Sequence, residues 1–179
     1  MRFGTAALAA FTIFAVAGCD SSGDSGSPPA PTSTLAGAPS AFDPCTDIPQ
    51  SLLDSEGLRN EYKADDNGAD GIRWRGCDWV QVDGYAASIQ TTNLTVAMVR
   101  DKKFSDAREF AIGARQAISG KSSADRPDEE CAVNVAIQGG SLEVGLTNPE
   151  SSKKTGHLDT CELARALTEK VVAVLPQGV

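Results

Sequence analysis

The chain has 179 residues, 41% of them hydrophobic and 22% charged, with a formal net charge of −8. That length suits one ordinary domain plus flanking segments. The acidic balance argues against a nucleic-acid partner, which needs a basic footprint, and equally against electrostatic docking on anionic lipid head groups.

The first residues read as an export signal. Arg2 is a short positive region and Ala6 to Val16 a small apolar one. That segment is too short to span a bilayer, which takes about 20 apolar residues. Val16-Ala17-Gly18-Cys19 then resembles a bacterial lipobox. Residues 1–18 are therefore expected to be removed, and Cys19 to carry the lipid as the new N-terminus. Two acyl chains suffice for stable anchoring where one is marginal. The expected address is the extracytoplasmic face of the cell membrane.

Asp20 to Ala41 is built from Ser, Gly, Pro, Thr and Ala, with Leu35 as its only large apolar residue. Such a segment buries too little surface to offset its ordering entropy. Residues 19–41 are thus read as lipidated cysteine and tether, spanning roughly 25 Å as a flexible coil. Residues 42–179 are read as a single domain.

With Cys19 assigned to lipid, four cysteines remain: Cys45, Cys77, Cys131 and Cys161. An even set in an oxidising compartment implies two disulfides, with three connectivities open. No two of them share the C-x₂₋₄-C spacing of a zinc site. No metal or other cofactor is expected. Asp65 to Gly71 invites a calcium-loop reading, but neither register puts a bidentate Glu where an EF-hand needs it.

A short helix is predicted between Thr46 or Asp47 and Gly57, with Pro49 in its first turn. Asn60 to Gly71 is expected to be irregular. A strand follows from Trp74 to Asp83, turns at Gly84, and returns from Ala86 to about Val99. From Ser105, the residues Ala107, Phe110, Ala111, Ala114 and Ile118 recur at helical spacing, which predicts a helix ending at Gly120. Its small apolar face, with Ala117 added, either leaves room for a pocket between the sheet and the last two helices or lets helix and sheet pack closely.

A second unit begins 54 residues after Cys77, at Cys131. Val133, Val135 and Ile137 alternate, Gly139-Gly140 signals a hairpin, and Leu142, Val144 and Leu146 return. Asp159 is the expected N-cap of a last helix carrying Cys161, Ala164, Leu167, Val171 and Val174. The order predicts an α+β fold: a short N-terminal helix, then two ββα units, with helices on one side of an antiparallel sheet and two disulfides.

Phe42-Asp43-Pro44-Cys45, Gly76-Cys77-Asp78-Trp79, Cys131 and Asp159-Thr160-Cys161 resemble an actinobacterial family of small secreted lipoproteins, a domain of unknown function in mycobacteria, nocardiae and their relatives. The resemblance implies an α+β domain with paired disulfides outside the membrane, and no activity. A fainter likeness, in element order and cysteines, is to the extracellular sensor domains of mycobacterial receptor kinases. It favours a binding module and names no ligand. Chain order predicts Cys45–Cys77 and Cys131–Cys161, each tying a helix to the neighbouring strand.

Catalytic residue types are scarce. His157 is the only histidine, sits without a neighbouring nucleophile, and reads as a solvated loop residue. Asp128, Glu129 and Glu130 read as a solvated charge run rather than a glycosidase pair. Arg73, Trp74 and Arg75 are the candidate binding residues, a basic-aromatic-basic triplet able to grip an anionic or sugar ligand. The chain is expected to bind an envelope ligand or protein and not to be an enzyme. The alternative is an envelope hydrolase with an unfamiliar site.

Overall fold

The computed structural model describes residues 35–179. The lipobox, Cys19 and the tether up to residue 34 lie outside the described residues. The fold is α+β, and its centre is an antiparallel sheet of eight strands in the order β1-β3-β4-β8-β7-β6-β5, with the short β2 beside β3. These are β1 (Leu58–Lys63), β2 (Asp66–Asn67), β3 (Arg73–Gln81), β4 (Ala86–Thr92), β5 (Ser105–Ile112), β6 (Arg115–Lys121), β7 (Glu130–Ile137) and β8 (Gly140–Thr147). The helices are α1 (Pro44–Asp47), α2 (Gln50–Glu56), α3 (Val96–Asp101) and α4 (Thr160–Val172).

Alternation along the strands makes two different faces. On one, Cys77, Ile89, Val144 and Val133 lie side by side across β3, β4, β8 and β7. The next row is Trp79, Ala87, Leu146 and Cys131, and all eight side chains are almost completely buried. Helices α1, α2 and α4 close this face, with Leu53, Ala164, Leu167 and Val171 packed into it. The opposite face carries Gln90, Glu143 and Asn134 at its centre. The short α3 covers part of it, forming a second apolar cluster of Leu94, Val96, Val99 and Ile118 with Trp74 and Phe104.

Both disulfides join the cysteines that chain order pairs. Cys45 of α1 is bonded to Cys77 of β3, and Cys131 of β7 to Cys161 of α4, with Cα separations of 5.3 and 5.2 Å. Their equivalence in a repeat does not hold. Cys77 shares its row with Val133, whereas Cys131 shares the row of Trp79. The cysteines stand one row apart, so the 54-residue offset aligns letters rather than positions.

The helix expected from Ser105 is absent. Its place is taken by the β5–β6 hairpin, turning at Gly113 with φ 59. Glycine adopts that left-handed conformation without the clash a Cβ would cause. Ala107, Ala111 and Ala114 are exposed and only Ala117 is buried, so no pocket lies beneath an alanine-faced helix. The helix of the first unit comes earlier, at α3, capped by the Thr95 hydroxyl accepting from Met98 N at 3.2 Å. Asn60 to Gly71, expected to be irregular, supplies most of β1 and all of β2. The N-terminal helix is split at Pro49, which caps α2.

The docked part of the chain begins before Phe42. Asn93 Nδ2 donates to the Ala36 carbonyl at 2.6 Å, and Thr91 Oγ1 donates to that of Pro39 at 2.9 Å. Leu35–Ala41 therefore forms a strap along one end of β4 instead of continuing the tether.

Two substitutions separate the packed face from the mistaken helix. Leu142→Ala, at a fully buried central position, is expected to cost about 2–5 kcal/mol. Ala114→Trp, at the exposed hairpin turn, is expected to stay within about 0.5 kcal/mol of the parent. Urea unfolding of both variants checks the pair. An Ala114→Trp protein that fails to fold would restore the buried-helix reading.

Candidate functional site

The basic-aromatic-basic triplet at the start of β3 is divided by strand alternation. Arg73 and Arg75 lie on the side of Cys77, and Trp74 on the other. Arg75 donates to the carbonyls of Asp66 (2.8 Å) and Trp74 (2.5 Å) and to Asn67 Oδ1 (2.8 Å). Arg73 Nη1 donates to the Ile72 carbonyl at 2.8 Å. Arg75 holds the β2 turn in place, and Trp74 packs beneath α3. The three do not converge on one ligand position.

Trp74 instead stands near Glu143, a carboxyl that sequence patterning did not single out. Glu143 is half-buried there. Burial pushes the Glu143 carboxyl above its ordinary value, while the neighbouring Trp74 indole, the Asn134 amide and the charge of Lys102 pull the other way. The Trp74 indole N–H is close to this group yet closes no hydrogen bond of good geometry. A carboxyl raised in the folded state binds more protons folded than unfolded. Its stabilising contribution is therefore complete at low pH and is lost as pH rises through the folded value. Relative to Glu143→Gln, the parent is expected to lose stability as pH rises above the ordinary carboxylate value of 4.5. Chemical denaturation of both proteins across pH 4 to 8 measures this, and a difference that grows in the parent's favour would reverse the sign.

One group among the described residues brings metal-ligating atoms together, at Cys45, Cys77 and Glu61. Both sulfurs are joined in the disulfide, so neither is a thiolate ligand as the protein stands.

A concavity lies at the Thr147 end of β8. It is a cleft of about 520 Å³ between residues 121–129 and residues 148–161. Its second wall is rigid because Asn148 is buried at its root. Asn148 Nδ2 donates to the carbonyls of Thr155 (2.8 Å) and Leu158 (3.3 Å), and Thr155 Oγ1 donates back to Asn148 Oδ1 at 2.7 Å. Gly156 fits where a Cβ would come within 2.4 Å of the Glu150 carbonyl oxygen, so the loop closes only with glycine there. Ser152 Oγ donates to the Gly84 carbonyl at 2.9 Å, tying the loop to the β3–β4 turn. The two walls are joined by Asn148 N to the Glu129 carbonyl (2.7 Å) and Thr160 Oγ1 to the Asp128 carbonyl (2.7 Å).

The lining is charged and mainly acidic. Asp125, Asp128, Glu129, Glu150 and Asp159 outnumber Lys121 and Arg126. Lys121 is paired with Asp128 at 2.7 Å, and Arg126 with Glu129 and Glu130. His157 is exposed at the rim, and Cys161, in the first turn of α4, lies in the wall. The acidic run from Asp128 therefore forms one wall of a cleft. The sequence offered the Asp159 cap and His157 as cues, but Asn148 as the buried hub carried no signal of its own. Asn148→Ala leaves those carbonyls without their donor, at an expected cost of about 1–3 kcal/mol. Hydrogen exchange should then quicken at the Gly156 and Leu158 amides while β7 and β8 stay protected. Unchanged exchange in the loop would show that Asn148 does not hold it.

Residues 14–174 match the model of a family described as a protein of unknown function, DUF3558. No curated protein and no solved structure matches the chain.

Proposed function

Because the chain belongs to the DUF3558 family of proteins of unknown function, its role has to be argued from its own residues, and we propose that it is an envelope lipoprotein whose domain binds a ligand or protein partner on the outer face of the cell membrane. The lipobox at Val16 to Cys19 supports the anchor, and the cysteine framework supports an actinobacterial envelope as the setting. Among the described residues no helix is long and apolar enough to cross a membrane.

The position of the cleft carries the binding reading. The strap Leu35–Ala41 meets the sheet at Thr91, Asn93 and the Gly139 turn. The cleft opens at the other end of β8, about 25 Å away for a strand of this length. A domain held by its strap end would present that cleft away from the lipid surface. The acidic lining favours a ligand carrying positive charge or several hydrogen-bond donors.

Binding is favoured over hydrolysis by the Thr155 and Thr160 hydroxyls, which flank His157 in the chain and are already committed. Thr155 Oγ1 donates to Asn148 and Thr160 Oγ1 to the Asp128 carbonyl, and both residues are buried. Neither hydroxyl is placed as a nucleophile for His157 to activate.

Native mass spectrometry of protein purified from its own host tests the reading. The expected result is a co-purifying cationic ligand or partner that Glu150→Lys releases. Turnover of ester or glycoside substrates that disappears in His157→Ala would replace binding with the hydrolase alternative. Separately, Cys19→Ser should move the protein from the detergent phase to the aqueous phase, and unaltered partitioning would refute the anchor.

A further inference from the structure

The strap that leads the chain into the domain runs beside a second concavity, a groove of about 480 Å³. Leu35 and Ala36 of the strap form one side of it, and Val96, Ala97 and Met98 of α3 form another. Its floor includes Ala136, near the end of β7, and the turn at Gly139 and Gly140. Both turn positions require glycine, which leaves the floor there without side chains. Gly139 takes φ 87, and a Cβ on Gly140 would come within 1.9 Å of the Thr92 carbonyl oxygen.

The chemistry of this groove is the opposite of the cleft's. Among the described residues that line it none is charged, in a chain of which 22% is. Three polar side chains line it, and two of them are already committed within the fold. Asn93 donates to the carbonyls of Ala36 and Gly71 and accepts from Arg73 N, and the Thr95 hydroxyl caps α3. Gln116, exposed on β6, is the third. A concavity of this size and lining suits an apolar ligand held with few polar contacts. Met98 adds an unbranched side chain that adapts to a flexible guest.

The place of the groove limits what reaches it. Leu35 lies 16 positions after Cys19. A chain of that length allows at most about 55 Å between the groove and the cysteine of the lipobox. We propose that the groove takes one acyl chain of a lipid in the membrane that the strap end faces. The source of that lipid rests on the anchored reading, whereas the groove itself is separate from the cleft and from its ligand. An uncharged groove needs no anionic head group, in keeping with the acidic balance of the chain. Affinity grows with each methylene buried, so longer chains bind more tightly.

Trp74 is a built-in reporter, because it packs in one apolar cluster with Met98 and Ala136 of the groove. The secreted full chain carrying Cys19→Ser is titrated with lysophosphatidylcholine bearing a brominated hexadecanoyl chain, below its micelle concentration. Saturable quenching of tryptophan fluorescence is expected, at least about tenfold weaker with a decanoyl chain. A rise in salt is expected to leave it unchanged. Ala97→Glu and Gln116→Glu, at exposed positions, are each expected to weaken binding at least about tenfold at an unchanged urea midpoint, and Glu150→Lys to leave it intact. No saturable quenching, equal affinity for both chain lengths, or binding that both groove variants preserve would each overturn the proposal. So would a dimer that Ala97→Glu dissociates, since a second copy would then be the occupant. The lipidated parent in vesicles of brominated phosphatidylcholine separates bilayer lipid from the anchor's own acyl chain. Quenching that Ala97→Glu removes is expected there. Quenching present in the Cys19→Ser titration but absent from the lipidated parent would put its own acyl chain in the groove and overturn the bilayer source. If Cys19→Ser leaves detergent partitioning unaltered while the probe still binds, the anchored reading fails and the acyl specificity of the groove stands.

Discussion

The pairing of β4 with β8 at the middle of the sheet is the constraint on which the other elements depend. Ile89 faces Val144, Ala87 faces Leu146, and Thr91 faces Leu142, all on the side closed by α4 and α1. Strand side chains alternate with a period of two, so a slip of one residue would exchange the faces. Gln90 and Glu143 would then enter the apolar core, and the valines and leucines would face outward. Burying an unpaired carboxylate costs several kcal/mol, and exposing four large aliphatic side chains forfeits about 1.5–3 kcal/mol for each. The register is therefore fixed twice, by what it buries and by what it keeps out. Both disulfides reinforce it, since each ties a helix onto a strand flanking this pair.

From that centre the sheet grows outward to strands that must not pair further. β1 and β5 are its edges, and each carries a bulge with a polar residue in the left-handed region, Asn60 (φ 58) and Asp106 (φ 57). Asn and Asp tolerate that conformation better than other residues with a side chain. The bulges twist the edges, and Arg59, Glu61 and Lys63 on one and Arg108 and Glu109 on the other add charge. Both devices discourage pairing with another chain. In β1 the same irregularity also sets the surroundings of the first disulfide.

This helps explain what could be read from the residues and what could not. β7 and β8 were legible because Val133, Val135 and Ile137 alternate against a Gly-Gly turn. α4 was legible because Asp159, Cys161 and its apolar stripe agree with one another. The β5–β6 hairpin was not. Its alanines suit a helix by propensity and spacing, yet Phe110, Ile112 and Ala117 are held by pairing with β6 and β7. Tertiary pairing overrode a local preference. β1 was hidden for a related reason, since a bulged and charged edge strand has almost no apolar alternation to read. The candidate site was legible only in pieces. His157 and the acidic run were visible, but they are far apart in sequence, and what joins them is backbone hydrogen bonding that side-chain pattern does not encode.

The triplet Arg73, Trp74 and Arg75 shows the converse error. Three adjacent residues with binding chemistry look like one site only if they share a surface, and in a strand they cannot. Alternation sends the arginines to one side and the indole to the other. Residues that do meet at the cleft come from the end of β6, the loop before β7, the loop after β8 and the first turn of α4. They converge because antiparallel strands bring their loops to common ends of the sheet. The strap occupies one such end and the cleft the other, so the feature that leads the chain into the domain leaves the cleft end unobstructed. The second disulfide belongs to both halves of this arrangement. It fastens α4 to β7 as a core staple, and its helix cysteine, Cys161, is among the residues that line the cleft.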